Sequence, residues 1–283
     1  MSSIRVPIPI KAASGNLDYV APHKEDRAFV TALARGLEVL RCFSEQAPEL
    51  TVSEIATLTG LAQPTAWRLC HTLRTLGYLV QVAGSERLTV ATPILSLGHS
   101  ALAPTSLEHV LRPHLMQLAQ RYRAAVGLAD YDRGHMIYLL SARAGPLLDL
   151  TSLRVGTRVP LEKTAIGWVF AASLGAEARA RVLTEIRKRL GSAWAANEKH
   201  LASARAELGE HGFIVRCGLL ALNLNVAAAP VRLASGKILA VNCSAPDSVL
   251  PRERLYGEVG PALVKLAEKM GTLLTDHVAP IIV

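Results

Sequence analysis

The 283-residue sequence predicts an α+β protein with an N-terminal winged helix-turn-helix domain, a linker helix, and a larger C-terminal α/β domain built on an antiparallel sheet. Three observations predict it. Residues 51–79, TVSEIATLTGLAQPTAWRLCHTLRTLGYL, read as two short helices, a tight turn between them and the start of a strand. A turn-bounded pair of strands follows at residues 78–82 and 87–92, the place of a wing. Beyond residue 105, strand-like segments are interrupted by a block of helical ones, as in α+β folds.

Residues 1–24 carry Pro7, Pro9, Gly15 and Pro22 without periodicity and are expected to form a flexible arm. The reader domain should span 25–92. Its first helix is expected over residues 26–44, where Phe29, Leu33, Leu37, Leu40 and Phe43 recur every three to four positions and should pack against the motif. Thr51 and Glu54 form a capping-box pattern that opens a helix running to Thr59, and Gly60 stops it. Ile55, Ala56 and Leu58 supply the inward face, and Leu61 fills the corner. Pro64 suits the first turn of the next helix, because its missing amide donor has no partner there. Leu69, Leu73 and Leu76 are its expected buried stripe. Gly77 permits the left-handed ending, and Ala83-Gly84-Ser85-Glu86 turns the wing.

Pro93 opens the linker, 93–104, a helix through Ile94, Leu95, Leu97 and Leu102 that Ala103-Pro104 closes. The remaining domain, 105–283, begins with a second capping box, Thr105 and Glu108, and a helix to about Tyr122. A hairpin follows at 126–131 and 136–143 around Asp132-Arg133-Gly134-His135. A strand is expected at 147–153 and a turn at 154–157. Helices at 164–174, 176–190 and 197–211 precede strands at 213–217, 222–231 and 238–243. A last helix opens after Pro251 and runs to about residue 277.

Composition narrows the function classes. Half of the residues are hydrophobic, ample for two cores, yet no apolar stretch is long and uncharged enough to span a membrane. The opening MSSIRVPIPIKAASGN lacks a signal-peptide core, so the expected location is the cytoplasm, with no membrane partner. Cys42, Cys70, Cys217 and Cys243 stand singly, as reduced thiols do. The net charge of +8 invites a nucleic-acid reading, but residues 24–100 hold seven basic and seven acidic side chains. The surplus of seven lies after residue 100. The case for DNA therefore rests on one local asymmetry.

That asymmetry is the second helix of the motif. Gln63, Thr65, Ala66, Trp67, Arg68, His71 and Arg74 form a face with donors, two fixed cations and no acid, which enters a major groove without repelling phosphates. Gln63, Thr65, Trp67, Arg68 and His71 are expected nearest the bases, with Arg68 on guanine, while Arg74 and the wing's Arg87 hold phosphates. Thr51 and Pro64 complete the expected DNA-binding set. Trp67 either faces DNA or tucks under the wing. A neutral reader binds weakly alone, so double-stranded promoter DNA should require a dimer.

Enzyme chemistry finds little support. Neither Cys217 nor Cys243 sits in a glycine-bounded elbow, and His109 and His114 lie five apart, off the shared face that helical metal ligands need. No GxxxxGK[ST] or GxGxxG occurs. Arg143 and Arg154 either receive a carboxylate or are plain exposed arginines. No catalytic residue, metal or cofactor is expected. Two competitors stay open: a small-molecule-binding protein or enzyme that keeps the winged helix only to dimerise, and an RNA binder, which the lack of clustered aromatic platforms disfavours.

ALARGLEVLRCF at 32–43, the helix-turn-helix at 50–79, RVGTRVPLEKTAIGWVFAA at 154–172 and NVAAAPVRLASGKILAVNCSAP at 225–246 together resemble the IclR family of bacterial transcriptional regulators, over roughly residues 27–276. The resemblance implies a winged-helix reader joined to a GAF-like sensing domain, acting as a homodimer or dimer of dimers on a promoter. It also implies an effector pocket beneath residues 164–167, walled by Leu128, Asp130, Leu140, Thr164, Ala165, Ile166, Asn223, Asn225, Asn242 and Ser244. The chain departs from the family at 214–220, where an acidic run is frequent, and at Asn225, where cysteine is frequent. Asn223, Asn225 and Asn242 alternate with apolar neighbours, so their amides either point to one side or cap strand ends. Amides and a hydroxyl among apolar residues fit an organic acid, and the LARGLEVL opening is similar to regulators of aromatic-acid breakdown. The expected function is a ligand-responsive regulator of a catabolic operon, with residues 93–101 carrying the signal.

Overall fold

The computed structural model describes residues 27–102, 107–144, 154–219 and 223–274. They form two compact units that divide between Ala101 and Leu102. The expected arm, the Ala103-Pro104 stop, the Thr105 cap, the strand at 147–153 and the final turn at 275–277 lie outside the described residues.

The first unit contains α1 (Thr31–Arg41), β1 (Glu49–Leu50), α2 (Val52–Thr59), α3 (Gln63–Thr75), β2 (Leu79–Gln81), β3 (Leu88–Val90) and α4 (Pro93–Leu102, whose last residue falls to the other unit). The capping box forms: Thr51 Oγ1 accepts from the Glu54 amide at 3.2 Å, and Glu54 Oε2 accepts from the Thr51 amide at 2.7 Å. Gly60 ends α2 in the left-handed region, at φ 67°. The wing strands β2 and β3 pair antiparallel, and β1 adds to the outer side of β3. A two-residue strand leaves no periodicity to read, so β1 had no sequence signature. Val39, Ile55, Cys70, Leu73, Leu79 and Leu88 fill the core.

The Thr51 amide, and to a lesser degree its hydroxyl and Arg87, hold the Glu54 carboxyl below the ordinary carboxylate range. Its stabilising contribution is therefore present above that range and is lost as pH falls through the depressed folded-state value. Thr51→Ala removes the acceptor at the helix start and is expected to cost about 1 kcal/mol, read as a lowered urea midpoint at unchanged slope.

Two packing expectations are corrected. α1 starts at Thr31 and buries Glu38 and Val39, while Leu33 and Leu37 are 64% and 52% exposed. Spacing identifies an apolar stripe but not what covers it. On α3 the buried stripe is Ala66, Cys70 and Leu73, and Leu76 is 62% exposed. Ala66 therefore leaves the proposed DNA face.

The second unit runs through α5 (Leu107–Tyr122), β4 (Ala125–Asp132), β5 (His135–Arg143), β6 (Arg158–Pro160), α6 (Ala165–Ser173), α7 (Ala176–Leu190), α8 (Ala195–His211), β7 (Ile214–Leu219), β8 (Leu224–Arg232) and β9 (Ile238–Pro246). It closes with α9 (Arg252–Arg254), a π turn over Leu255–Val259, and α10 (Gly260–Leu274), so the last helix is not uniform as expected. Among the described residues the sheet holds six antiparallel strands in the order β6-β5-β4-β9-β8-β7. β6 was not expected, since 158–160 is short and ends in proline.

The sheet has two buried faces. Leu111, Leu115, Leu118 and Tyr122 of α5, with Leu263, Leu266 and Met270 of α10, pack against Val126, Leu128, Val231, Leu239 and Val241. On the other side Ile166, Trp168, Val169 and Phe170 of α6, with α7 and α8 behind, pack against Ala125, Ala129, Ala228 and Ala240. Large side chains floor the first face, whereas the strands offer mostly small ones to α6. Gly167 lets the first turn of α6 seat directly on the backbone of Leu161, in the turn that precedes the helix.

Candidate DNA-reading face and effector site

On α3, Gln63, Pro64, Trp67, Arg68, His71 and Arg74 are exposed and Thr65 is half-buried. Trp67 does not lie beneath the wing: it is 56% exposed and stacks on His71, ring centroids 5.3 Å apart and planes within 8°. This pair makes a flat aromatic plate one turn long. Gln63 Nε2 donates to Ser53 Oγ at 3.0 Å, joining the first turn of α3 to α2. Arg68 and Arg74 make no ion pair among the described residues. Their charge remains available to a polyanion.

Arg87 and Thr51 are used inside the unit. Both guanidinium nitrogens of Arg87 meet Glu54, at 3.1 and 3.2 Å, and one also donates to the Glu49 carbonyl at 2.8 Å. Arg87, expected on phosphate, here forms a half-exposed clamp between wing and α2, its fork meeting a bidentate carboxylate. Thr51 is likewise committed to the cap of α2.

In the second unit the ten expected effector residues divide. Leu128 and Leu140 pair across β4 and β5 on the face covered by α5 and α10, away from α6. Asn225 also points from the α6 side: its Nδ2 donates to Asp247 Oδ1 at 2.6 Å and to the Leu250 carbonyl at 2.9 Å, and its Oδ1 accepts from the Gly218 amide at 3.2 Å. It clamps the loop after β9. Asn223 is an exposed turn residue at φ 48°. The Asp130 carboxylate is met by Lys237 Nζ at 2.6 Å and by the Tyr131 amide at 2.8 Å. These five of the expected wall residues stand in the core, at a turn or in a clamp.

Thr164, Ala165, Ile166, Asn242 and Ser244 do gather on the α6 side. Thr164 Oγ1 caps α6 by accepting from the Gly167 amide at 3.2 Å, while the first two amides, of Ala165 and Ile166, find no acceptor among the described residues. Asn242 is 4% exposed, and its Oδ1 is buried with no hydrogen-bond partner. Asn242 and Ser244 lie on one face of β9, opposite Gly127 and Ala125 of β4 and Ala228 and Val226 of β8. The segment leading into α6 is anchored by a buried ion pair, Glu162 to Arg189 at 2.8 Å.

Two residues of this face escaped the sequence reading. Tyr138, buried beside Asn242, lays its ring over Gly127, where a Cβ would stand 2.5 Å from the ring and 3.2 Å from Asn242 Oδ1. Burial drives the Tyr138 hydroxyl well above its ordinary value, and the neighbouring Asn242 side chain moderates this, so it is neutral. A glycine inside a strand marks close approach, and Gly127 was the available signal. Off this face, a cleft of about 680 Å³ between α8, α10 and the end of β8 is lined by Leu208, Gly212, Pro230 and Val264.

A family model for the IclR helix-turn-helix domain matches residues 32–83, and one for the C-terminal region of the bacterial transcriptional regulator IclR matches residues 99–272. The HTH-type transcriptional regulator TsaQ1/TsaQ2 of Comamonas testosteroni is 31% identical over 241 residues, covering 84% of this chain and 86% of its own length. The crystal structure of an IclR family transcriptional regulator from Brucella abortus is 35% identical with a TM-score of 0.81, over 90% of this chain and 96% of that one. The fold is shared, at 22% identity and a TM-score of 0.66, by an IclR homologue from Microbacterium hydrocarbonoxydans crystallised with 4-hydroxybenzoate, over 87% of this chain and all of that one.

Proposed function

Because the chain belongs to the IclR family of bacterial transcriptional regulators, we propose that it senses a small organic acid, aromatic in class, and thereby controls a catabolic operon. Its relatives are regulators and not enzymes. One observation carries the sensing role: a buried sheet face floored by small residues ends at the open amides of α6 and an unpaired amide oxygen. Helix-start amides accept a carboxylate, and the apolar surroundings accept the rest of such a molecule. A structure of the same fold holding 4-hydroxybenzoate makes aromatic acids the first class to test.

The effector residues in this reading are Thr164, Ala165, Ile166, Asn242 and Ser244, joined by Gly127 and Tyr138. DNA is read by Gln63, Pro64, Thr65, Trp67, Arg68, His71 and Arg74. The working form is a dimer or dimer of dimers, supported by the exposed apolar side chains of Val30 just before α1, Leu33 and Leu37 on α1, and Leu95 and Leu97 on α4. α4 carries the signal, and an effector shifts the arrangement of readers only as far as its affinities for the alternative arrangements differ.

In an electrophoretic shift at stated salt, the intact chain is expected to retain duplex DNA from beside its own gene, and aromatic acids are expected to change the retained fraction. Retention indifferent to every acid offered defeats the sensing role. Sedimentation as a monomer both free and on DNA defeats the pairing.

A further inference from the structure

The aromatic plate on α3 specifies a base; this rests on the DNA reading proposed above. Trp67 and His71 stand four residues apart, one turn along the same side of α3, and their rings stack with centroids 5.3 Å apart and planes within 8°. Trp67 is nevertheless 56% exposed, so the largest apolar side chain of the helix is left uncovered. Each ring holds the other in place, and little side-chain freedom remains to be lost on binding. Several polar groups of the helix are already spent. Gln63, one turn before Trp67, gives its amide nitrogen to Ser53, and the hydroxyls of Thr72 and Thr75 turn back to the carbonyls of Arg68 and His71. No acid occurs from Gln63 to Leu76, and Arg68 follows Trp67 directly. The helix thus presents a stiff apolar plate next to a cation.

Major-groove edges of base pairs are donors and acceptors, with one exception, the 5-methyl group of thymine. A plate pressed on donors or acceptors desolvates them without replacing their hydrogen bonds, which is costly. Against a methyl group it buries apolar surface on both sides. From this geometry we infer that the plate of Trp67 and His71 packs on a thymine methyl group in the major groove. Trp67 is then the residue that requires thymine in each half-site, neighbouring the guanine held by Arg68. His71 is a positioning residue, which backs the indole and fixes its plane.

The test is fluorescence anisotropy of the intact protein with the tightest duplex selected from a random pool, and with versions in which single thymidines are replaced by deoxyuridine. That replacement removes the methyl group and keeps the base pair. The wild type is expected to bind about fourfold more weakly when one particular thymine of a half-site is replaced, the scale of one buried methyl group. Trp67→Ala is expected to bind the parent duplex more weakly and to hold its thymidine and deoxyuridine forms alike. His71→Ala should lower the ratio, and His71→Phe, which keeps a ring behind the indole, should restore it. Both positions are exposed, so these variants leave the core of the unit untouched.

Indifference to every methyl group, a ratio that survives Trp67→Ala, or a ratio unmoved by His71→Ala overturns the assignment and leaves DNA reading by α3 intact. A loss that arises from altered duplex shape survives Trp67→Ala and so counts against the plate. A single-stranded oligonucleotide held more tightly than any duplex, or no duplex retained by the folded protein, overturns the DNA reading as well.

Discussion

Gly167→Ala is expected to destabilise the second unit by about 3 kcal/mol, toward the upper end of what overpacking costs. A Cβ there would stand 2.2 Å from the Leu161 carbonyl oxygen and 2.5 Å from Leu161 Cα. Both are backbone atoms, so no side-chain rotation relieves the clash. Leu161 itself is fully buried and begins the turn whose Glu162 is pinned by Arg189. The first turn of α6 must lift instead, uncovering Ile166 and Trp168. Urea unfolding followed through tryptophan fluorescence reads the loss as a lower midpoint for the transition that involves Trp168 and Trp194. Because α6 also supplies the open amides, effector binding should fall with it. A midpoint unchanged from wild type would mean that α6 does not seat on Leu161 in solution.

Arg68→Ala is expected to weaken operator binding by about 1–3 kcal/mol per half-site and to relax base preference at one position, as loss of a guanine contact does. In the proposed dimer that loss counts twice. Arg74→Ala should instead weaken all sequences alike and make the salt dependence shallower by about one unit of slope. Fluorescence anisotropy with the operator and single-base variants, at two salt concentrations, separates the outcomes. The effects should be large for so few residues, because the reader carries no net charge with which to compensate. Uniform loss from Arg68→Ala removes its assignment to a base.

The motif was legible because its signals are local. Thr51 with Glu54, Gly60 and Pro64 each act within one turn of themselves, and the helices begin and end where those residues stand. Leu33 and Leu37 misled because spacing reports that a face is apolar and not whether its own core or another molecule covers it. Residues 125–129 are buried on both sides, so no polar alternation showed which strand residues look toward α6. A register shift between Leu128 and Ala129 obscured the pairing further. Asn225 and Asn242 resemble each other in sequence, yet their faces follow from strand positions that no local pattern contains. The ion pair of Arg87 with Glu54 was not legible, because its two halves lie 33 residues apart.

That partnership governs how the reader can respond. The carboxylate that starts α2 also grips the wing, and Gln63 ties α3 back to α2. Bending one part of the module therefore strains the others. Under the proposed sensing role, control is left to displacement of this module as a solid lever, whose reading edge reaches the groove unchanged.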